Sequence, residues 1–127
     1  MARVLIIDDD VALGQALMKH LQRAGHEVRQ APHGDAGIRE HEREAADVAL
    51  VDIFMPGQGG LQTIDRLRRS GPAMKIIAMS GAPGAGSLDL EGHARTLGAD
   101  HFLNKPFEAA TLVALVASLV KGPGKLP

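Results

Sequence analysis

The sequence predicts an α/β domain: a doubly wound, five-stranded parallel sheet with strand order 2-1-3-4-5 and five covering helices. Two observations indicate this fold class. Short apolar runs alternate with helix-like patterns along the chain, as in sheets whose strands are joined by helices. Three of the runs are apolar at every position, which is typical of parallel strands buried on both faces, whereas two further strand candidates contain polar residues.

The polarity of the predicted strands sets their order. Residues 4–7, 48–51 and 76–79 are apolar and belong inside the sheet, whereas residues 27–31 and 101–104 are partly polar and suit its edges. Right-handed crossovers are compatible with the order 2-1-3-4-5. In that order the switch point lies between strands one and three, and ligands of such sheets bind at the switch point.

Helical patterns follow each predicted strand. In the first, Leu13, Leu17 and Leu21 repeat every four residues and form one apolar stripe, and Gly25 suits the helix end. The second is highly charged, and the third is stopped by a Ser-Gly-Pro sequence. The second to fifth helices are predicted at about residues 35–43, 61–70, 88–97 and 108–120.

Length and composition indicate one soluble domain, expected at residues 1–121, with a C-terminal tail at residues 122–127. The net charge of -1 gives no sign of a nucleic-acid partner. The chain has no cysteine, which excludes disulfides and thiolate metal sites. Neither a signal peptide nor an apolar run long enough to span a bilayer is visible, so we expect a cytoplasmic protein without a membrane partner.

Acidic residues follow two of the inner strands. Asp8 and Asp9 end strand one and Asp52 ends strand three, so three carboxylates are expected to meet at the switch point. Crowded carboxylates repel each other, and a hard dication relieves that repulsion; Mg²⁺ suits a site with few carboxylates. The alternative for Asp8 and Asp9 is helix capping, a role that we assign to Asp10.

The other two strands at this edge end in a hydroxyl and an ammonium group. Ser80-Gly81 follows strand four, and Lys105 follows strand five. A hydroxyl can hydrogen-bond an oxyanion, and glycine lets the backbone approach closely. Acids, hydroxyl and ammonium after different strands suit phosphoryl chemistry, in which metal and ammonium neutralise the transferring group.

Four motifs together resemble the receiver domain of two-component response regulators, a flavodoxin-like fold of the chemotaxis-regulator type. They are Asp8-Asp9, Asp52-Ile-Phe-Met-Pro followed by Gly60, Ser80-Gly81 and Lys105-Pro-Phe. Their order and spacing are family-like over essentially the whole chain. The resemblance implies a phosphoprotein of two-component phosphorelay signal transduction, not an enzyme, which assists its own phosphorylation and dephosphorylation.

The resemblance also implies a role for each site residue. Asp52 would accept phosphate from a kinase phosphohistidine. Asp9, Asp52 and the backbone carbonyl of Phe54 would bind Mg²⁺ directly, while Asp8 would act mostly through water.

On the same basis, the phosphoryl group would be bound by the residues after strands four and five. Lys105 would pair with it, and Ser80 with Gly81 would bind it. Ser80 and Phe102 would form the switch, in which the aromatic ring turns inward as the hydroxyl moves. The expected partners are a histidine kinase or phosphotransfer protein and a downstream protein.

Two features depart from the family pattern. Residues 81–87 are rich in glycine, and this segment is longer than the family norm, so the fourth helix is expected to start late or to be mobile. The fifth helix lacks a charged outer face, with Leu112, Val116 and Leu119 as its expected inward set. The apolar residues left on its outer side form a patch, which indicates an interface with a partner or a second copy. The alternative is that the tail from Lys121 to Pro127 folds back over this patch. The predicted interface residues are Val113, Leu115, Ala117 and Val120.

Four interpretations stay open at this point, with the stand-alone receiver as the leading one. The chain is a stand-alone receiver, or it is a receiver fragment of a larger regulator or hybrid kinase. The Asp8-Asp9-Asp10 run superficially fits an aspartyl-nucleophile phosphatase of the haloacid-dehalogenase type. However, Ala12 stands where threonine or valine is usual in that family, and no segment for the family's substrate cap is visible. The last alternative is a receiver-like scaffold that is never phosphorylated.

Overall fold

The computed structural model describes residues 2–55, 59–81 and 90–120, and over these residues five strands alternate with five helices. All strand pairs are parallel, and the sheet order is β2-β1-β3-β4-β5, as predicted. The elements are β1 (Arg3–Ile7), α1 (Val11–Arg23), β2 (Glu27–Ala31), α2 (Gly34–Arg43), β3 (Val48–Asp52), α3 (Gly60–Ser70), β4 (Lys75–Ser80), α4 (Leu90–Leu97), β5 (His101–Asn104) and α5 (Ala109–Val120).

The sheet separates two apolar cores, because successive strand side chains point to opposite faces. On one face, Leu5 and Ile7 of β1 belong to the first core cluster, with residues of α2, α3 and α4. On the other face, Val4 and Ile6 belong to the second core cluster, with residues of α1 and α5. Helices on both faces bury the inner strands, so β1, β3 and β4 are apolar almost throughout.

The helix ends follow local sequence signals. Asp10 is the N-cap of α1, and its carboxylate accepts a hydrogen bond from the Leu13 N–H at 3.1 Å, which confirms the predicted cap. Gly25 follows the last turn of α1 with φ +96°, a left-handed conformation that favours glycine. α3 ends at Ser70 with Gly71 as its C-cap, in agreement with the predicted stop.

Some predictions concern residues outside the described ranges. The glycine-rich segment at residues 81–87 lies there except for Gly81, and so does the tail at residues 122–127. α4 is described from Leu90 onward. Among the helices of the described ranges, none combines the length and the apolar composition that crossing a membrane requires.

Candidate functional site

Three carboxylates meet at the carboxyl end of the sheet, where the sequence predicted them. Asp8 and Asp9 follow β1, and Asp52 ends the neighbouring strand β3. One oxygen from each of the three residues lies within 4.8 Å of the others. Asp8 and Asp52 are buried, with 0% and 4% of their surface exposed, whereas Asp9 is exposed. The three acids therefore form one cluster with a solvent-facing side.

Asp8 is held from two directions. Its Oδ2 lies 2.9 Å from the Lys105 ammonium nitrogen, and its Oδ1 accepts a hydrogen bond from the Asp10 N–H at 2.9 Å. A fully buried carboxylate is stable when it is paired and hydrogen-bonded in this way. The ion pair also links the loop after β1 to the loop after β5, and so brings Lys105 to the cluster.

Asp52 is buried, and its charge is only partly compensated by its neighbours. Its Oδ1 accepts a hydrogen bond from the Phe54 N–H at 3.2 Å, and its Oδ2 lies 3.7 Å from the Lys105 ammonium nitrogen. Burial and then the nearby Asp8 carboxylate raise the pKa of Asp52 to about 6, against the opposing effect of Lys105. A poorly solvated carboxylate beside a cation is suited to react with an anionic group that the cation attracts.

The residues at the ends of β4 and β5 lie at the same carboxyl edge of the sheet, as the strand pairing requires. They are Ser80, Gly81 and Lys105. Ser80 ends β4 opposite Asn104 of β5, and its carbonyl accepts a hydrogen bond from the Lys105 N–H at 2.8 Å. A Cβ atom added to Gly81 would lie 3.4 Å from the Lys105 Cδ atom, so the backbone lies along the lysine side chain. Ser80 is itself buried.

Two phenylalanines near the site have different surroundings. Phe54 follows the acidic cluster and is 44% exposed, although it is a large apolar side chain. Phe102, the predicted switch residue, is half-buried and packs against the first core cluster. Sequence reasoning missed a second exposed apolar side chain beside the cluster, that of Val11, which is 49% exposed at the start of α1.

Close backbone contacts support the end of β3. A Cβ atom at Gly60 would overlap the Asp52 carbonyl oxygen and lie 2.5 Å from the Ile53 Cα atom. Next to it, Thr63 is fully buried, donates a hydrogen bond to the Gly59 carbonyl and contacts Gly34 of α2. The sequence analysis did not predict this buried role of Thr63. The available signal was a polar residue among the apolar residues on the inward side of α3.

The carboxylate cluster fits a hard dication. All of its donors are oxygen atoms, which Mg²⁺ prefers, and the exposed Asp9 leaves space for water or phosphate ligands. Mutual repulsion between Asp8 and Asp52 supports the same assignment, since a bound cation would relieve it.

The predicted interface on α5 is half-buried. Leu112 and Val116 are buried as expected, and Leu119 packs against the second core cluster. The four predicted interface residues are half-buried, and three of them also contact that cluster; their part in an interface stays a prediction. These three are Val113, Leu115 and Val120, and the fourth is Ala117.

A family model described as the response regulator receiver domain matches residues 4–117. The chain therefore belongs to the response regulator receiver domain family, which confirms the resemblance based on the four motifs. Membership in this family also argues against the aspartyl-nucleophile phosphatase alternative.

Similar curated proteins are bacterial transcriptional regulators. The transcriptional regulatory protein CiaR of Streptococcus pneumoniae is 32% identical over 125 residues, which cover 98% of this chain and 54% of CiaR. The transcriptional activator protein PfeR of Pseudomonas aeruginosa is 38% identical over 119 residues, covering 94% of this chain and 38% of PfeR. The chain thus spans about half the length of these relatives or less.

Solved structures show the same fold. A CheY-like receiver domain protein from Methanospirillum hungatei has a TM-score of 0.84 and 28% identity, with 92% of this chain and 91% of that chain covered. The receiver domain of NtrX from Brucella abortus has a TM-score of 0.84 and 25% identity, with 94% and 98% covered. These similarities agree with the sheet order and the five covering helices.

Proposed function

We propose that this chain accepts a phosphoryl group from a kinase phosphohistidine on Asp52 and signals through a phosphorylation-dependent change of its surface. The observation that carries this proposal is the Asp52 carboxylate, buried beside Lys105 and next to two further acids. Attack by an Asp52 oxygen on phosphorus forms an acyl phosphate while the bond from phosphorus to the imidazole nitrogen breaks.

Each neighbour has a role in this proposal. Mg²⁺ would be held by Asp9, Asp52 and the Phe54 carbonyl, and would supply positive charge for the transferring group. Lys105 neutralises a second phosphoryl oxygen, since its ammonium already lies 3.7 Å from the Asp52 carboxylate. Asp8 holds that ammonium at 2.9 Å before transfer. When Mg²⁺ is bound, Asp8 would act on it mostly through water.

Signalling would follow from the new charge on Asp52. Ser80 ends the strand next to that of Asp52, and it binds the phosphoryl oxygens together with Gly81, the residue that follows it. Movement of Ser80 opens space into which Phe102 turns, and the surface of α4, β5 and α5 changes by population shift. The protein partners are a histidine kinase or phosphotransfer protein and a downstream target, and the site of action is the cytoplasm.

The length of the relatives bears on the whole protein. Because the chain spans 54% of CiaR and 38% of PfeR, a receiver within a larger regulator stands beside the stand-alone receiver as a proposal. Phosphotransfer profiling against candidate histidine kinases would identify the partner.

The test of this function is phosphorylation by a small donor. Wild-type protein incubated with acetyl phosphate and Mg²⁺ should gain one phosphate by intact-mass measurement, and Asp52→Asn should gain none. Glu42→Gln, a substitution at an exposed acid on α2, should behave like wild type. A phosphate adduct that persists in Asp52→Asn would refute the assignment.

Mg²⁺ should stabilise the wild type but not Asp9→Asn. A ligand that binds only the folded state adds about 2.7 kcal/mol to the free energy of unfolding at 100 times its Kd. Thermal unfolding with and without Mg²⁺ measures this effect. Asp10→Asn is the matched control, because it removes a neighbouring carboxylate yet keeps a side chain that caps α1. Equal Mg²⁺ stabilisation of Asp9→Asn and Asp10→Asn would contradict the proposed ligand set.

Slow loss of phosphate is expected from the exposed ring of Phe54. The ring has no polar atom that would orient an attacking water, and it is exposed on the residue whose backbone N–H donates a hydrogen bond to Asp52. Phe54→Asn should shorten the acyl phosphate lifetime several-fold, measured by decay of the phosphorylated mass. Val11→Asn changes the other exposed apolar side chain and should leave the lifetime unchanged. A lifetime in Phe54→Asn that equals or exceeds the wild-type value would defeat this expectation.

We also propose that α5 contributes an interface to a partner or a second copy. Ala117→Glu places a charge on the half-buried outer side of α5 and should weaken self-association or partner binding. Sedimentation velocity measures self-association, and titration with the cognate kinase measures partner binding. Ala110→Glu, at an exposed position in the first turn, is the control. A monomeric wild type whose kinase binding is unaffected by Ala117→Glu would rule out this surface.

A further inference from the structure

The imidazole of His41 fills a corner at the end of the sheet opposite the carboxylate cluster. His41 lies in the last turns of α2 and is 8% exposed. Its Nδ1 accepts a hydrogen bond from the Ala46 N–H at 3.1 Å, just before β3 begins. On its other side, a Cβ atom at Gly71 would lie only 2.9 Å from the His41 Nε2 atom. The ring thus joins the α2–β3 loop to the turn after α3.

The hydrogen bond from Ala46 requires an unprotonated Nδ1. A protonated imidazole has donors on both nitrogens, so it cannot accept from the Ala46 N–H, and two N–H groups would then face each other. The loss would leave a buried backbone donor without its acceptor. Neutral His41 therefore holds the corner closed, and protonated His41 does not fit it.

Charges around His41 also favour the neutral ring. Burial lowers the pKa of His41 below its ordinary value, as does the Arg29 guanidinium of β2, while Glu42 on α2 acts in the opposite direction. From α3, Arg68 donates a hydrogen bond to the carbonyl of Gly71, the residue that lies against the Nε2 side of the ring. The Arg29 guanidinium opposes protonation of His41, and the Glu42 carboxylate favours it.

We propose that neutral His41 holds α2, the start of β3 and the turn after α3 in contact with each other, and that protonation of His41 breaks this contact. We call this arrangement an acid-sensitive latch. This goes beyond phosphotransfer, because the corner lies at the opposite end of the strands from Asp52. The free energy of unfolding falls as the pH drops below the ordinary pKa of 6.5, because the unfolded chain then binds more protons at this residue.

His26 has a similar arrangement and must be controlled. Its Nδ1 accepts a hydrogen bond from the Ala2 N–H at 3.0 Å, and burial and the amino-terminal charge lower its pKa. A His26→Asn background keeps an acceptor in place without a titrating group, so that the part of the remaining pH effect that disappears on His41→Asn is assigned to His41.

Hydrogen exchange of the Ala46 amide tests the latch. In His26→Asn protein, protection of this amide, corrected for intrinsic exchange, should fall about tenfold between about pH 7.5 and about pH 5. In His26→Asn/His41→Asn the Oδ1 atom takes the place of Nδ1 without titrating, and protection should change far less. Amide protection in β4 serves as the internal reference for global unfolding.

Two outcomes would overturn the proposal. One is unchanged Ala46 protection across this pH range while His41 titrates, as followed by its ring signals. The other is the same pH-dependent loss in the His41→Asn protein. If His41→Asn does not fold, His41→Gln replaces it, and a protein that keeps the full pH-dependent loss with glutamine at this position would equally contradict the latch.

Discussion

Gly60→Ala is expected to lower the melting temperature by about 10 °C, which corresponds to a loss of roughly 2–4 kcal/mol for a domain of this size. The added methyl group would overlap the Asp52 carbonyl oxygen and lie 2.8 Å from the Asp52 carbonyl carbon. These obstructing atoms belong to the backbone, so no side-chain rotation can relieve the overlap. Either α3 or the end of β3 must move, and Asp52 would move with it. Phosphate incorporation from acetyl phosphate should therefore fall as well.

Gly59→Ala is the matched control for this substitution. The two glycines are adjacent, but a Cβ atom at Gly59 would meet no atom within 4 Å, and its φ of -70° suits alanine. Loss of a glycine N-cap should cost less than about 1 kcal/mol. Equal melting temperatures for Gly59→Ala and Gly60→Ala, measured by calorimetry, would show that the close backbone contact does not limit stability.

Asp52→Asn is expected to stabilise the metal-free protein by about 2 kcal/mol near neutral pH. The pKa of Asp52 is raised from 3.8 to about 6. Above that pH the folded state carries a negative charge on Asp52 that is less favourable than the same charge in the unfolded state. Asparagine is nearly isosteric and neutral, and it keeps an acceptor for the Phe54 N–H. Urea denaturation in the presence of a chelator measures the difference.

The pH dependence gives the sign of this effect. Between 3.8 and about 6 the folded state binds more protons at Asp52 than the unfolded state. The contribution of Asp52 to the free energy of unfolding therefore becomes more favourable as the pH falls through this window. The advantage of Asp52→Asn should shrink over the same window and vanish near its lower end. An Asp52→Asn protein that is no more stable than wild type near neutral pH would contradict this electrostatic account.

The fold could be predicted because burial determines the sequence of its strands. β1, β3 and β4 lie between two layers of helices, so their apolar runs are continuous, and β2 and β5 are edges that tolerate polar residues. Several element ends differ from the predicted ones by one residue. For example, β1 begins at Arg3 and α5 at Ala109, because hydrogen bonding rather than apolarity sets these limits.

The site was predictable in membership but not in its pairing. Strand ends alone brought Asp8, Asp9 and Asp52 together, since parallel strands end at one edge. Lys105 and Asp8 are 97 residues apart in the sequence, and their pairing depends on the direction of both side chains. The structure places the Lys105 ammonium at 2.9 Å from Asp8 and 3.7 Å from Asp52. Spacing in the sequence carries no signal for this difference.

The close contact at Thr63 was also beyond sequence reasoning. A threonine on the stripe of α3 reads as a tolerated polar residue, yet its hydroxyl lies against the backbone of Gly34 and donates to the Gly59 carbonyl at 3.2 Å. Contacts between two helices that are both joined to the sheet depend on the distance between them, and that distance follows from packing of the whole core.

The central claim is that Asp52, among three clustered carboxylates, is the phosphate acceptor. The most direct measurement is borohydride reduction of the phosphorylated protein followed by peptide mass spectrometry, because reduction of an acyl phosphate converts the aspartate to homoserine. The proposed function predicts homoserine at position 52, with aspartate retained at positions 8 and 9. Homoserine at Asp8 or Asp9, or its absence from a protein shown to carry phosphate, would contradict the claim.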